Sequence, residues 1–274
     1  MVCSNLMRDY HIHTSLCKHA VGEMEEYVLA AIEKGLPEIC FTDHIPLPNG
    51  EDAEHRMAIE EVEPYLEKIA ILNRKYREIS ILAGIEADYV EGNETYIKEF
   101  LAGYHFDLVI MSVHFIKHWQ NQQWVFNYEY SEATIPQQYH DYFQAMLKGI
   151  ETGLFDIIGH LDIIKRPGFP VLATNREDVE KVLNAIKKKE MCIELNTSGL
   201  RKPISEMYPT QEILTMAIKK DIPFTMASDA HRPEHVGYYF DLLTNHLFNY
   251  NGLRMAHYNK RKCFDHFLAP QEIE

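Results

Sequence analysis

The chain lacks any apolar run of eighteen or more residues, so no membrane-spanning helix and no membrane partner are expected. Its five cysteines (Cys3, Cys17, Cys40, Cys192 and Cys263) are odd in number and far apart, and none forms a C-x-x-C pair. Neither a disulfide framework nor a thiolate zinc site is indicated, and a reducing cytoplasm is the expected compartment. The stretch Met1–Asp9 carries no basic segment followed by an apolar one, so no secretory leader is expected. Positive charge is scarce, with 27 Lys and Arg against 41 Asp and Glu and a formal net charge of −14. A nucleic-acid partner is therefore disfavoured, because binding that backbone needs a basic stripe to displace counterions. Linkers, low-complexity tracts and repeats are also missing, and residues 1–274 read as one domain.

What the chain does have is alternation. Short apolar runs suited to strands fall at Leu6–His11, Glu38–Thr42, Ile79–Ile85, Asp107–Ser112, Phe155–Gly159, Met191–Leu195 and Pro223–Ala227. Between them apolar residues recur at helical spacing, as in Met24, Tyr27, Val28, Ala31 and Ile32, or Val62, Tyr65, Leu66 and Ile69. Val179, Val182, Leu183 and Ile186 repeat the pattern, as do Ile213, Leu214, Ala217 and Ile218. Asn175 is the expected N-cap of a helix Arg176–Lys189. Seven strands alternating with helices predict parallel β-α units, wound as an open sheet or as a closed barrel.

The fifteen histidines decide between the two. His11 and His13 stand two apart at the end of the first strand, so both side chains leave one face. Asp43 and His44 follow the second strand, Glu86 the third, His114 the fourth and His160 the fifth; Glu194 ends the sixth, and Asp229 and His231 follow the seventh. Taken singly, each has a bland reading as a turn residue, a surface carboxylate or a hydrogen-bonded imidazole. Together they place a metal-binding group at every strand end, and only a closed barrel brings those ends to one rim. His55, His105, His118, His140, His235, His246, His257 and His266 lack that address and read as structural or exposed; Cys17 reads as a packed residue. Imidazoles with a few carboxylates suit zinc, iron or manganese.

The ordered set H-x-H, T-D-H, G-x-E, S-V-H, G-H-x-D and S-D-A-H, running from His11 to His231, resembles the polymerase and histidinol phosphatase (PHP) superfamily. That resemblance implies a distorted barrel of seven β-α units, TIM-like, with the active site at the C-terminal ends of the strands. It also implies three divalent metal ions. The first takes His11, His13, Glu86 and Asp229; the second shares Glu86 and adds His114 and His160; the third takes His19, His44 and His231. The stretch Glu194–Pro203 and Tyr208-Pro209, with Gly159-His160-Leu161-Asp162 and Arg166, resembles the histidinol-phosphatase branch.

A cluster of divalent cations binds phosphoryl oxygens and makes hydroxide available near neutral pH. The expected reaction is in-line attack of that hydroxide on L-histidinol phosphate, a step of histidine biosynthesis, releasing histidinol and phosphate. The cations also explain how so acidic a protein holds an anion. Asp43 is the expected helper for the leaving alkoxide, or else a support for neighbouring ligands. Arg166, Arg201 and Lys202 are candidates to clamp the phosphate, with Arg166 also a catalytic candidate. Glu194, ahead of Asp88 and Asp162, is the candidate to meet the amine of histidinol. The competing functions are a phosphatase for a nucleotide or sugar phosphate, a nuclease, and a metal-loaded scaffold without turnover. The segments Pro46–Glu60 and Phe115–Pro136, with Trp119 and Trp124, are candidates to shape the pocket.

Overall fold

Seven parallel strands follow one another in chain order: β1 (Asp9–Ile12), β2 (Glu38–Phe41), β3 (Ser80–Asp88), β4 (Leu108–Ser112), β5 (Ile157–Ile158), β6 (Cys192–Asn196) and β7 (Phe224–Ala227). Each is hydrogen-bonded to the next in parallel register. This computed structural model describes residues 7–119, 124–165, 168–247 and 250–268. The ring closes beyond the end of β7, where Ile12 and Ala230 form a parallel bridge. His13 N donates to Ala230 O at 2.9 Å and Ala230 N to His11 O at 3.2 Å. The open-sheet alternative is thereby set aside, and the architecture is a distorted seven-stranded α/β barrel.

The helices that accompany the strands are α1 (Met24–Glu33), α2 (Val62–Lys75), α3 (Glu94–Gly103), α4 (Ile135–Thr152), α5 (Arg176–Lys188), α6 (Gln211–Lys219) and α7 (Phe240–Leu247). The apolar stripes read from the sequence are the buried ones: Tyr27, Val28 and Ala31 in α1, Val62, Tyr65 and Ile69 in α2, and Val179, Val182, Leu183 and Ile186 in α5. Asn175 does stand at the N-cap of α5, but its side chain makes no cap bond. Its Nδ2 instead donates to Pro136 O at 3.0 Å and to Asp178 Oδ2 at 3.2 Å, tying α5 to the start of α4.

Two strands beyond the expected seven complete the sheet. β8 (Arg254–Asn259) and β9 (Lys262–Phe267) form an antiparallel hairpin, with β8 beside β7. The hairpin lies at the end of the barrel opposite the metal-binding residues. There Ala256 and Tyr258 pack on the inward-facing Tyr10, Cys40, Leu108, Ile110, Ile157 and Cys192. Tyr258 Oη donates to Asp156 O at 3.0 Å and Arg261 N to Asp107 O at 2.7 Å. This floor keeps water from the narrow apolar half of the barrel.

β3 runs further than its apolar stretch suggests, so Glu86 and Asp88 lie within the strand. Gly84, Glu86 and Asp88 alternate onto one face. At Gly84 a Cβ would stand 2.7 Å from both Cys40 Sγ and Thr42 Cγ2, so only glycine lets β2 and β3 approach so closely.

Candidate metal centre

The C-terminal ends of the strands surround a cavity of about 590 Å³. At its base sits Glu86, fully buried, with each carboxylate oxygen facing a different set of imidazoles. Oε2 lies 2.8 Å from His44 Nδ1, 3.4 Å from His11 Nε2 and 3.5 Å from His13 Nε2. Oε1 lies 3.0 Å from His160 Nε2 and 3.7 Å from His114 Nε2, and accepts from Ser112 Oγ at 2.5 Å. His13 Nε2 is also 3.4 Å from Asp229 Oδ1. Despite the short distance, His44 Nδ1 and Glu86 Oε2 are both buried without a hydrogen-bond partner. These atoms converge without bonding one another.

The rear nitrogens explain why. His11 Nδ1 is held by Glu194 Oε2 at 2.9 Å, His114 Nδ1 by Asp88 Oδ1 at 2.7 Å, His19 Nδ1 by Cys17 O at 2.7 Å and His231 Nδ1 by Asp229 O at 3.0 Å. A backbone carbonyl can only accept, so in His19 and His231 the proton sits on Nδ1 and the Nε2 lone pair points forward. Those two Nε2 atoms are 2.9 Å apart. Two bare lone pairs at that range repel unless a proton or a metal cation stands between them. Nε2 atoms of His11 and His13 meet similarly at 3.1 Å, and those of His114 and His160 at 3.2 Å. Two imidazoles on one tetrahedral zinc ion have nitrogens roughly 3.3 Å apart, given Zn–N bonds of about 2.05 Å.

Electrostatics point the same way. Burial works against the charge on Glu86, but His44, His11 and His114 outweigh it and hold the carboxyl well below its usual range. Asp229 is depressed in the same manner by His11 and His13, against its own burial. Burial also opposes charge on His11, yet Glu194, Glu86 and Asp229 raise its pKa well above the ordinary value. His44 goes the other way, lowered by burial to about 4, and so presents a neutral ring at neutral pH. A site that keeps a buried carboxylate and a cavity-lining one ionised among imidazoles selects cations. The sets His11–His13–Asp229, His13–His44–Glu86 and His19–His44–His231 each bring three donor atoms within 4.8 Å of one another. These groups are suited to divalent metals.

All nine residues singled out as ligands are thus brought together, eight from the ends of strands spread along the chain and His19 from the loop after β1. Other expectations are corrected. Glu194 does not line the cavity: it is fully buried, with Oε1 accepting from His160 N at 2.6 Å and from Asn196 Nδ2 at 2.7 Å, so it cannot meet a substrate amine. Asp43 is also fully buried behind the imidazoles, accepting from Thr14 N at 3.2 Å, Thr14 Oγ1 and His44 N at 3.2 Å. It supports its neighbours and is not placed to protonate a leaving group. Asp88 is occupied by His114 and by Arg56 Nη1 at 2.9 Å, and Asp162 by Thr210 N at 3.0 Å and Lys165 at 3.1 Å. Arg166 lies outside the described residues.

Arg201 and Lys202 do line the cavity, as do Ser198 and Arg232. Arg201 Nη2 donates to Ser228 O at 2.6 Å and Asp229 O at 3.1 Å, while its Nη1 is buried without a partner. His55 and His235, read as structural or exposed, also line the cavity. Both sit on segments that only the folded chain brings back over the rim. Cys17 is buried, as expected, but its sulfur lies among the donor atoms of His13 and His231. Trp124 also lines the cavity, its ring 4.5 Å from that of His114, whereas the buried Trp119 packs on Tyr128 at 4.6 Å.

Comparison with known proteins bears on this geometry. The PHP domain matches residues 9–198. The "Probable histidinol-phosphatase" of Deinococcus radiodurans is 37% identical over 237 residues, covering 85% of this chain and 89% of that protein. The "Histidinol-phosphatase" of Bacillus subtilis is 32% identical over 262 residues, covering 85% of this chain and 97% of that protein. Among solved structures, the histidinol phosphate phosphatase of Lactococcus lactis, complexed with zinc, L-histidinol and phosphate, has the same fold. Its TM-score is 0.76 at 24% identity, covering 95% of this chain and 100% of that one. With the PHP domain matched over residues 9–198 and relatives of 37% and 32% identity covering 85% of it, the chain belongs to the PHP domain family.

Proposed function

We propose that the chain is a metal-dependent phosphomonoesterase, a single domain over residues 1–274, that hydrolyses L-histidinol phosphate to L-histidinol and phosphate. One observation carries the catalytic reading: Glu86 is fully buried and offers one oxygen to His11, His13 and His44 and the other to His160 and His114. A buried carboxylate with imidazole nitrogens converging on both of its oxygens is a donor set that would hold divalent cations. The names of the relatives at 37% and 32% identity supply the substrate.

In this reading three divalent ions, of zinc, iron or manganese, are held by the residues implied above. His11, His13, Glu86 and Asp229 serve the first, Glu86, His114 and His160 the second, and His19, His44 and His231 the third. When bound, such ions polarise phosphoryl oxygens and lower the pKa of water. The protein does the rest. Glu194 and Asp88 fix the rings of His11 and His114 through their Nδ1 atoms, which sets the ligand geometry before substrate arrives. Arg201, braced by two backbone carbonyls, keeps Nη1 for a phosphate oxygen. Lys202 adds charge to the same wall. Trp124 and Phe126 add aromatic surface to the same cavity.

The test is phosphate release from L-histidinol phosphate, run beside nucleoside monophosphates, sugar phosphates and oligonucleotides, with metal content measured on the same preparation. Preference for histidinol phosphate by the metal-loaded protein is expected. Equal or greater turnover of a nucleotide would reject the substrate, and no turnover with a full complement of metal would reject the enzyme.

A further inference from the structure

His55 stands outside the three ligand sets assigned above, yet it lines the cavity and its orientation is built in from behind. Asp52 Oδ1 takes His55 Nδ1 at 2.7 Å. The other oxygen of Asp52 accepts from Arg56 Nε at 3.0 Å and Arg56 Nη2 at 2.7 Å. Arg56 is itself fully buried and spends Nη1 on Asp88 Oδ2 at 2.9 Å and Ile45 O at 3.0 Å. One guanidinium therefore ties the segment that carries His55 to the carboxylate that orients His114 and to the peptide after His44. Burying an arginine with two carboxylates is expensive in desolvation and is not needed to close a surface loop.

The consequence lies in the ring. With Nδ1–H committed to Asp52, neutral His55 turns an Nε2 lone pair to the cavity, an acceptor and not a donor. The ring of Trp124 stands beside it, at 5.4 Å and nearly perpendicular, in the cavity that Arg201 and Lys202 also line. An acceptor next to an indole is a seat for a cationic amine, by hydrogen bond and by cation–π attraction together. The cavity is thus lined by two unlike sets of residues, guanidinium and ammonium groups suited to phosphate and an imidazole–indole pair suited to an ammonium group.

We propose that His55, held by Asp52 and Arg56 and flanked by Trp124, is the residue that recognises the amino group of the substrate alcohol, making the enzyme selective for phosphate esters of amino alcohols. This rests on the phosphomonoesterase reading above. Asp52 and Arg56 act as positioning residues.

The experiment compares kcat/KM for L-histidinol phosphate with that for the same ester lacking its amino group, in the wild-type holoenzyme and in His55→Phe and His55→Gln. The ratio should fall roughly tenfold or more in His55→Phe, mainly through KM. His55→Gln, whose amide oxygen can accept, should recover part of it. Asp52→Ala should lower the ratio in the same direction, with metal content and melting temperature kept as controls. An unchanged ratio in His55→Phe, or loss of bound metal from that variant, overturns the proposal. Calorimetric binding of L-histidinol to the same proteins keeps the two readings apart. If the wild type hydrolyses neither ester, the function fails, while weaker histidinol binding by His55→Phe would still support the amine seat.

Discussion

His114 and Asp88 are joined by a 2.7 Å contact between Nδ1 and Oδ1, both atoms fully enclosed by protein. The carboxylate stays ionised there because, against the penalty of burial, His114 and Arg56 hold its pKa far below the usual value. It settles which nitrogen of His114 carries the proton and therefore which one faces Glu86. Replacing Asp88 by Asn should weaken metal binding roughly 10- to 100-fold, the usual cost of losing a partner behind a metal-binding imidazole. Titration with a chelator, followed by melting temperature and by phosphate release, reads this directly. Unaltered metal retention would show that Asp88 only packs.

Asp229 occupies the left-handed backbone region at φ 52°, where Asn is among the few residues tolerated without glycine. Asp229→Asn should therefore keep the fold while losing metal and activity together, by more than the roughly 100-fold expected of an orienting residue. His11→Ala should behave in the same way. Circular dichroism with metal analysis checks both, and near-wild-type turnover in either variant would count against the assignment.

Arg56 is among the largest fully buried side chains and compensates both Asp52 and Asp88. Arg56→Leu leaves the Asp88 charge partly unmatched inside the protein and should cost about 3–5 kcal/mol of stability. Denaturant unfolding of the metal-free variant against metal-free wild type gives the number. A paired Asp88→Asn change should restore part of the loss.

Gly159 precedes His160 in a tight place, where a Cβ would stand 2.6 Å from Ser112 Oγ and 2.8 Å from Ile110 Cγ2. Since Ser112 donates to Glu86, Gly159→Ala should both destabilise the chain by about 1–3 kcal/mol and disturb the centre. A melting curve and a metal titration separate the two effects.

Without metal, pH should act from both sides. The raised pKa of His11 and His13 means their stabilisation is complete below the unfolded value of 6.5 and fades as pH rises through the folded values. The lowered pKa of Glu86 and Asp229 gives stabilisation that is complete above their unfolded values of 4.5 and 3.8 and fades as pH falls through the folded ones. From these four groups the metal-free protein gains most between about pH 5 and 6.5 and loses that gain toward alkaline pH, while the lowered pKa values of His44 and His231 remove stability as pH falls below 6.5. Added zinc should cancel the alkaline loss, because cations replace the protons. Melting temperatures across pH, with and without zinc, test it.

Much of the architecture was legible because it is written in local chemistry. Short continuous apolar runs mark strands buried on both faces, a period of three to four marks the buried face of α1, α2, α5 and α6, and ligands such as His11, Glu86 and Asp229 stand at or near the ends of those strands. Less legible was the hairpin of β8 and β9, where β9 is largely exposed and alternates too weakly to announce itself. Asp43 and Glu194 were legible as polar residues at strand ends but not in their roles, since a carboxylate behind an imidazole looks in sequence like one in front of it.

Residue order alone settled the parallel β-α winding and the family of the chain, because hydrophobic period and ligand spacing are properties of neighbours along the backbone. Whether a side chain faces the cavity or stands behind it was decided by tertiary structure. The segment of His55 is held at the rim by the contact of Arg56 with Asp88, and Glu194 withdraws from it through its contact with His11, both made across the fold. No local pattern encodes such contacts, since each depends on where a distant segment closes over the barrel.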